Sequence, residues 1–554
     1  MTPARHHWLR LAAGVVILLG SHALLRGYVT DDTYIHLRYA ENLAARGEFA
    51  FNPGESTYGA TSPLWILGLV LLAKLGIAGP PAGWALGLAC GVLTLVVLAG
   101  LLRRLPFPEA WRWWLFLLAA TDAWFLRWTA SGMETPLATL VLLVLLWPVV
   151  MPSPVRGAPQ SPGRLWPRYL AWGVAAGLAG LTRPEFLVLA PAALPGLLLC
   201  EYRQGDSLAG AAGRYRARPQ GPALAAGLGW LATVGPWLAY AQLAFGRWTP
   251  GTATAKSNAL TLAPGEVAGS LGRSLVQLGT TQGLLWLFFA VLVVVVLVER
   301  FQQEHAGDGD VDTLPETPWQ FWQAVAIVLV VGTWTAVLLG GYALKGVWTI
   351  SRYLSPLSPA LLLSGAVLAY WLLNFTTEYR GRRALGRAVA AAVCGVTVAG
   401  NLALVALVVR PHAREFSAGV VACYLDKGAW IGEHSAPDDV IAAVDIGALA
   451  YGSQRRVLDL MGLVSPEIMA LGRQYGFAPL VESGLWLRAG DRAGARAPTW
   501  FVDRTEGPPR WTGRTVRGVT FELVDTCVIH GVGLREQQDW TVATYRLRPA
   551  AGGG

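Results

Sequence analysis

Charged residues are scarce in this chain of 554 residues, and cysteine is scarcer still. Only 14% of the residues are Asp, Glu, Lys or Arg, against about 25% in an average soluble domain. Five cysteines are too few for a disulfide framework, which excludes the small disulfide-stabilised secreted proteins. Hydrophobic residues make up 54% of the chain and the mean hydropathy is +0.43, so the composition predicts a protein embedded in a lipid bilayer.

Several motifs that bind cofactors are also missing. No G-x-x-x-x-G-K-[ST] loop and no dinucleotide-type glycine run opens a helix, so nothing indicates a nucleotide cofactor. The sequence contains neither an H-E-x-x-H motif nor a close Cys/His cluster that would indicate zinc. We therefore assign no cofactor, although a divalent metal ion stays open. The net charge of +9 is spread over short loops between apolar runs, which is typical of membrane proteins and argues against a nucleic-acid partner.

The apolar runs predict the membrane topology. A helix needs about 20 apolar residues to cross the hydrocarbon core. Twelve candidate segments lie near 8–27, 63–78, 82–102, 111–129, 135–150, 169–183, 185–200, 222–245, 281–299, 321–341, 354–374 and 389–409. If all twelve cross, the basic pair Arg103 and Arg104 falls outside, against the positive-inside rule. Segment 63–78 is short and begins at a proline, so we interpret it as a juxtamembrane helix.

Eleven spans then remain, with the N-terminus in the cytoplasm and the C-terminus outside an inner or plasma membrane. The basic loops all become cytoplasmic under this scheme, namely 103–110, 151–168, 201–221 and 375–388. Agreement among four loops is what the positive-inside rule requires.

The pattern changes after residue 409. Apolar runs shorten to strand length (VIAAVDIG, PTWFVDR, FELVDTCV and WTVATYRL), and helices are predicted near 415–433 and 465–475. We predict a polytopic α-helical membrane protein with two parts, a transmembrane module (1–409) and an extracytoplasmic α/β domain (410–554). Cys423 and Cys527 could pair in an oxidising compartment, which the sequence leaves undecided.

The first predicted outer loop, 28–62, contains two adjacent carboxylates, Asp31 and Asp32. An amphipathic helix is predicted after them, from Thr33 to Arg46, in the membrane interface. Helix capping is the structural explanation of the pair, because an Asp at a helix start accepts backbone N–H groups. One carboxylate is enough for a cap, and crowding a second beside it raises a pKa toward the range of a general base. Capping and catalysis therefore explain these two residues equally well.

Other charged side chains fall on the same predicted outer face. They are Glu134 in SGMETP, Arg183 and Glu185 in LTRPEF, Arg247 and Lys256 in FGRWTPGTATAK, and Lys345 and Arg352 in KGVWTISRYLSP. Lys and Arg are disfavoured on the outer face, so the presence of each one there requires an explanation. Snorkelling or structural pairing explains any single residue. The set as a whole favours a site, because Arg and Lys are well suited to bind phosphate.

Three further residues have two explanations each. His36 lies one helical turn after Asp32 and either faces the same pocket or is an ordinary surface histidine. Asp445 in VDIGALAYGS is predicted to follow a strand, a position used both for ligand contacts and for ordinary turns. Asp459 in VLDLMGLVSP has the same two explanations.

Blocks of sequence spread over residues 28–470 resemble one enzyme family. The blocks are DDTYIHLRYAENLAARGEFAFNPGESTYGATSPLW, SGMETP, LTRPE, FGRWTPGTATAK, SRYLSPL and VDIGALAYGSQRRVLDLMGLVSPE. They are similar to bacterial membrane glycosyltransferases of the GT-C fold, and most similar to the terminal arabinofuranosyltransferases of the mycobacterial cell wall. The resemblance implies a polyprenyl-phosphate sugar donor, an envelope glycan acceptor, and a catalytic carboxylate in the first outer loop, here Asp31 or Asp32.

The resemblance also implies roles for the other residues. Glu134 and Glu185 are expected to line the cavity, while Arg183, Lys256 and Arg352 are expected to bind the donor phosphate. The identity of the sugar does not follow from it. Three alternatives stay open. Two of them are a transporter or flippase of lipid-linked sugars, which the lack of an internal repeat disfavours, and a protein glycosyltransferase of the same fold. A third is a non-catalytic envelope protein that binds glycan.

Overall fold

The computed structural model describes residues 2–150, 162–197, 220–251, 263–305, 319–375, 383–488, 496–534 and 537–550. A helical bundle forms the larger part of the protein. Its helices are α1 (Pro3–Leu24), α2 (Asp31–Arg46), α3 (Pro63–Lys74), α4 (Pro80–Arg104), α5 (Glu109–Ala120), α6 (Ala123–Thr129), α7 (Thr135–Val150), α8 (Pro162–Thr182), α9 (Pro184–Leu197), α10 (Gln220–Phe245), α11 (Pro264–His305), α12 (Trp319–Leu344), α13 (Ser358–Phe375) and α14 (383–433). A polar segment with a six-stranded sheet follows α14.

Seven helices in the described ranges are long and apolar enough to cross a membrane, and α3, α7 and α9 are shorter apolar helices. The chain is thus a multi-pass membrane protein, while the count of eleven spans stays a prediction. The 12 residues of α3 extend over only about 18 Å, less than the roughly 30 Å of the hydrocarbon core. This length agrees with our interpretation of segment 63–78 as a juxtamembrane helix.

The segment predicted as one span at 111–129 forms two helices instead. Asp122 ends α5 and begins α6, because its carboxylate accepts the backbone N–H groups of Trp124 and Phe125 at 3.0 Å each. The hydroxyl of Ser358 donates a further hydrogen bond to it at 2.6 Å. A buried acidic cap with three donors satisfies the backbone at the break, and its effect cannot be seen in hydropathy alone.

Helix α14 connects the bundle to the sheet. It continues from 383 to 433 through two π-helical turns, Val405–Val409 and Val421–Asp426. The helix predicted near 415–433 is the final part of this element, so the helix passes without interruption through the boundary predicted at residue 409.

The sheet combines parallel and antiparallel pairs. Its strands are β1 (Val440–Ala443), β2 (Arg456–Asp459), β3 (Trp500–Thr505), β4 (Thr515–Val516), β5 (Val519–Val532) and β6 (Gln538–Pro549), and their order is β2-β1-β3-β6-β5-β4. The first three strands are mutually parallel and the last four antiparallel. All four strands predicted from short apolar runs are confirmed, and so is the helix predicted near 465–475, which is α16 (Pro466–Tyr475). The predicted fold class is therefore confirmed.

A short helix, α15 (Gly447–Ser453), docks the sheet on the bundle by packing against α2. The apolar core between them includes Tyr34 and Ile35 of α2, Leu449 of α15 and Ile441 of β1. Burial of such side chains contributes about 1.5–3 kcal/mol each. The amphipathic helix predicted after Asp31 and Asp32 is therefore confirmed as a helix, and one of its faces packs on the sheet segment.

A disulfide between Cys423 and Cys527 joins α14 to β5 across 104 residues of sequence. This answers the question that the sequence left undecided. Cys423 is fully buried, so the bond anchors the long β5–β6 hairpin to the helix from which the sheet segment begins.

We expect replacement of both Cys423 and Cys527 by Ser to lower the free energy of unfolding of the segment after α14 by about 4 kcal/mol, because the unfolded chain loses the constraint of a long closed loop. Thermal unfolding of the full-length protein in detergent, followed by limited proteolysis, would measure this. Cys90→Ser is the matched control, since Cys90 is an unpaired buried cysteine of the bundle. An unchanged midpoint in the double variant would contradict the expectation.

Candidate active site

A cavity of about 480 Å³ lies where α2, the ends of several bundle helices and the loop after β2 meet. One part of its wall is apolar and includes Val188, Val337, Leu338 and Val347. The other part is charged. Its ionisable residues are Asp32, His36, Glu134, Arg183, Glu185, Lys345 and Arg352, together with Tyr342 and Tyr353. Three carboxylates therefore face three cations in a mostly apolar surrounding.

Asp32 reaches this cavity because of how α2 begins. Thr30, not an aspartate, is the N-cap, and it forms a reciprocal capping box with Thr33. Helix capping, the structural explanation of the acidic pair, thus belongs to Thr30. Asp32 is not the N-cap residue, and its carboxylate lies 2.6 Å from the guanidinium of Arg352.

Arg183 lies at the centre of a second ionic group. Its guanidinium is 2.6 Å from the carboxylate of Glu134 and 3.3 Å from that of Glu185. The side chains of Arg183 and Glu134 are only 3% and 5% exposed, so water screens this pair little. Arg183 directly precedes Pro184 at the first turn of α9, and Glu134 directly precedes α7. Two helix starts therefore hold the pair in place.

Tyr353 lies between the two arginines. The guanidinium carbon of Arg183 is 5.2 Å from the centre of its ring, and that of Arg352 is 5.1 Å from it. Arg352 also donates a hydrogen bond to the Tyr353 hydroxyl at 3.3 Å. Such cation–π contacts are stabilising when desolvated, and here they place two positive charges around one ring. Tyr342 supports the group by donating from its hydroxyl to Glu185 at 2.9 Å.

The electrostatics of the site keep Glu134 ionised. Burial acts to raise the pKa of Glu134, but the positive charges of Arg183, His36 and Arg352 outweigh it and hold the pKa at about 2. One carboxylate oxygen of Glu134, Oε2, is buried and has no hydrogen-bond partner in the described part of the chain. Glu134 is therefore a permanent negative charge whose second oxygen is left for a ligand or water.

Asp31 points away from the cavity. Its carboxylate accepts hydrogen bonds from the backbone N–H groups of Gly447 at 3.0 Å and Ala448 at 2.8 Å, at the start of α15. A Cβ on Gly447 would lie 2.0 Å from the carbonyl oxygen of Asp31, so only glycine allows this approach. Burial, together with the neighbouring carboxylate of Asp445, raises the pKa of Asp31 to about 7.

Asp445 and Asp459 also lie outside the cavity wall. Asp445 accepts a hydrogen bond from the Tyr424 hydroxyl at 2.8 Å and forms an ion pair with Arg504 at 2.9 Å. Asp459 is fully buried and accepts the backbone N–H groups of Met461 and Val464. Asp459 therefore orders the turn after β2, which is one of the two explanations that the sequence left open.

The cavity thus brings together seven of the twelve residues singled out from the sequence, namely Asp32, His36, Glu134, Arg183, Glu185, Lys345 and Arg352. Asp31 and Asp445 do not line it, and Lys256 lies outside the described residues. Lys345 was grouped with the outer cations but received no role. Tyr342 and Tyr353 were missed, because a tyrosine near a helix end is equally typical of an interfacial belt.

The described residues contain no group of three or more His, Cys, Asp or Glu side chains that could hold a metal ion. In the cavity each acidic side chain instead has a cationic neighbour, Asp32 at Arg352 and both glutamates at Arg183.

Comparison with known proteins adds to this geometry. Residues 415–550 match a family described as "Domain of unknown function (DUF8728)". The terminal beta-(1->2)-arabinofuranosyltransferase of Mycobacterium tuberculosis (strain ATCC 25618 / H37Rv) is 30% identical over 204 residues, which are 35% of this chain and 31% of that protein. The match to this curated relative thus spans less than a third of the relative's length.

Two solved structures are similar over nearly all of the fold. ArnT from Cupriavidus metallidurans bound to undecaprenyl phosphate has a TM-score of 0.51 at 12% identity, and the alignment covers 98% of each chain. The apo oligosaccharyltransferase of Archaeoglobus fulgidus has a TM-score of 0.50 at 12% identity, covering 90% of this chain and 69% of the other. At such low identity the likeness concerns the fold. The chain has the GT-C fold of membrane glycosyltransferases, as its sequence resemblance implied.

Proposed function

We propose that this chain is a glycosyltransferase that moves a sugar from a polyprenyl-phosphate donor to an envelope glycan at the extracytoplasmic face of the membrane. The observation that carries the proposal is the contact of Asp32 with Arg352, 2.6 Å apart, in one cavity with the Arg183–Glu134 pair. A carboxylate next to a phosphate-binding cation is what transfer from a phosphate leaving group requires.

The cavity walls suit a donor of this kind. An isoprenoid chain needs an apolar surface, which Val188, Val337 and Leu338 offer, and its phosphate needs cations, which Arg183, Lys345 and Arg352 offer. Similarity in fold to a protein whose structure contains undecaprenyl phosphate supports the same class of donor. Arabinofuranose is compatible with the partial match to the mycobacterial enzyme, while the geometry favours no particular sugar.

In the reaction, the bond between the anomeric carbon and the phosphate oxygen breaks as the acceptor oxygen bonds to that carbon. The electron pair of the broken bond stays on the phosphate, which gains negative charge and leaves as polyprenyl phosphate. Arg183, Lys345 and Arg352 then stabilise the transition state more than the bound donor, because the charge beside them grows during the step. Asp32 accepts the proton of the acceptor hydroxyl; a nucleophilic route would use the same carboxylate.

Asp31 has a positioning role in this scheme. It connects the first turn of α2 to the start of α15, and Asp32 is the next residue on the same turn. The hydrogen bonds of Asp31 therefore orient the carboxylate of Asp32 toward the cavity.

We expect Asp32→Asn to reduce sugar transfer by about 10²–10⁴-fold, the usual contribution of a general base, without a comparable loss of donor binding. The measurement is acceptor-dependent release of polyprenyl phosphate from a synthetic donor in nanodiscs, an activity that a transporter would lack. Asp426→Asn is the matched control, because Asp426 is exposed on α14. Full activity in Asp32→Asn would refute the assigned role.

Arg352→Lys is expected to lower kcat/KM by about 10²-fold, because it keeps the charge but loses the planar fork and the contact with Tyr353. Steady-state kinetics with varied donor would show it. The exposed Arg414 of α14 does not line this cavity, so Arg414→Lys should behave as the wild type. Equal kinetics of both variants would count against phosphate binding by Arg352.

Asp31→Asn is expected to flatten the pH dependence of thermal stability between about pH 5 and pH 7. The pKa of Asp31 is raised from 3.8 to about 7 in the folded protein, so in this window the folded state holds a proton that the unfolded chain has lost. Stability of the wild type therefore falls as the pH rises. The groups that face Asp31 are Asp445, Asp32 and Tyr34, with Tyr424 and Arg504 beyond Asp445.

The test is the unfolding midpoint of the full-length protein at a series of pH values, with Asp426→Asn as the control. Since the carboxylates of Asp31 and Asp445 interact, the slope of the unfolding midpoint against pH reports proton binding to the two carboxylates together. An identical slope in Asp31→Asn and wild type would show that Asp31 does not hold the extra proton.

A further inference from the structure

A second cavity, of about 210 Å³, lies beside the first and is formed by three parts of the chain. Ser56, Thr57 and Tyr58 come from the segment after α2, Phe245 and Arg247 from the end of α10, and the rest from 462–473 around the start of α16. Ligand pockets for drug-sized molecules measure about 300–1,000 Å³. This cavity therefore suits a smaller group, such as one sugar residue with its substituent.

The two cavities adjoin along a common wall. Each of the three segments passes from one to the other: Tyr58 lines the second cavity and Gly59 the first, Arg247 the second and Thr249 the first, and Leu463 lines both. The backbone N–H of Gly251 donates to the carbonyl of Tyr58 at 2.6 Å. A molecule bound in the second cavity is thus held next to the site of Asp32.

The common wall depends on two close backbone approaches. A Cβ on Gly59 would lie 2.4 Å from Val464, and one on Gly251 would lie 2.8 Å from the carbonyl oxygen of Leu463. Both distances are shorter than packed atoms allow, so glycine is required at each position. The turn that carries Leu463 and Val464 is itself held by the buried carboxylate of Asp459. The wall is therefore preorganised before any ligand binds.

The charge of the second cavity differs from that of the first. Arg247 and Arg473 line it, and none of its lining residues is acidic. Neither guanidinium forms an ion pair within the described part of the chain, and the sequence from 252 to 262 next to Arg247 contains no Asp or Glu. The first cavity balances three carboxylates against three cations, whereas the second has two cations with no opposing charge.

We propose that the second cavity is an acceptor subsite that binds an anionic group of the acceptor, a carboxylate or a phosphate, through Arg247 and Arg473. The proposal rests on the glycosyl transfer proposed above, because the acceptor hydroxyl must approach Asp32 while a neighbouring part of the acceptor is held. Arginine presents a planar fork that matches the oxygens of either anion. The substrate class that follows is an acidic glycan, bearing a uronic acid or a phosphate substituent.

The test is direct binding of small probes to the full-length protein in nanodiscs, measured by ligand-observed NMR. The probes are inorganic phosphate, methyl glucuronide and the neutral methyl glucoside. Because the first cavity also offers cations to phosphate, all measurements are made in an Arg352→Gln background, and repeated with Arg473→Gln and Arg247→Gln added. Arg414→Gln is the matched control for the loss of one exposed positive charge.

We expect an anionic probe to bind about tenfold more weakly when Arg473 or Arg247 is replaced, in line with hydrogen bonds to charged groups, and unchanged with Arg414→Gln. Tighter binding of phosphate than of methyl glucuronide would identify a phosphorylated acceptor, and the reverse order a uronic acid. Equal binding of methyl glucoside and methyl glucuronide, or equal anion binding in all variants, would overturn the proposal. The activity of Asp32→Asn is independent of these probes, so failure of the acceptor subsite and failure of the proposed glycosyl transfer can be told apart.

Discussion

The ion pair between Asp32 and Arg352 is the interaction on which the site depends. It connects α2, which packs on the sheet segment, to the helical turn that precedes α13. Charges in a mostly apolar cavity must be paired or they destabilise the fold, and Arg183 meets the same requirement with Glu134 and Glu185. Opposite charges are therefore paired in this cavity, and the paired cations include Arg183 and Arg352, which we propose bind the donor phosphate.

One turn of α2 contacts both the sheet segment and the cavity in the helical bundle. Asp31 bonds to the backbone of Gly447 and Ala448 at the start of α15, and the next residue, Asp32, reaches into the cavity. Successive residues on a helix point about 100° apart, so two adjacent carboxylates can contact different parts of the protein. A displacement of the sheet segment would consequently move the proposed catalytic carboxylate.

The two adjoining cavities differ in their charge and in how much of their wall is apolar. The first offers an apolar wall and compensated cations, which suit a lipid-linked phosphate, and the second offers two arginines without an acidic partner among the described residues. Their common wall is formed by segments separated by about 200 residues each, at Tyr58, Arg247 and Leu463. Donor and acceptor subsites of this kind would bring two substrates together without a mobile element.

Composition and periodicity alone determined the bilayer location, the strands that became β1, β3, β5 and β6, and the set of charged residues worth following. Such signals are local, which is why the two residues of β4 gave no strand pattern, and why hydropathy did not show the break at Asp122. The tertiary structure alone showed that Asp31 bonds to the backbone of α15 while Asp32 lines the cavity, that Asp445 lies outside the cavity, and that Cys423 pairs with Cys527. Contacts between residues hundreds of positions apart depend on how the helices and the sheet pack, and no local pattern encodes those distances.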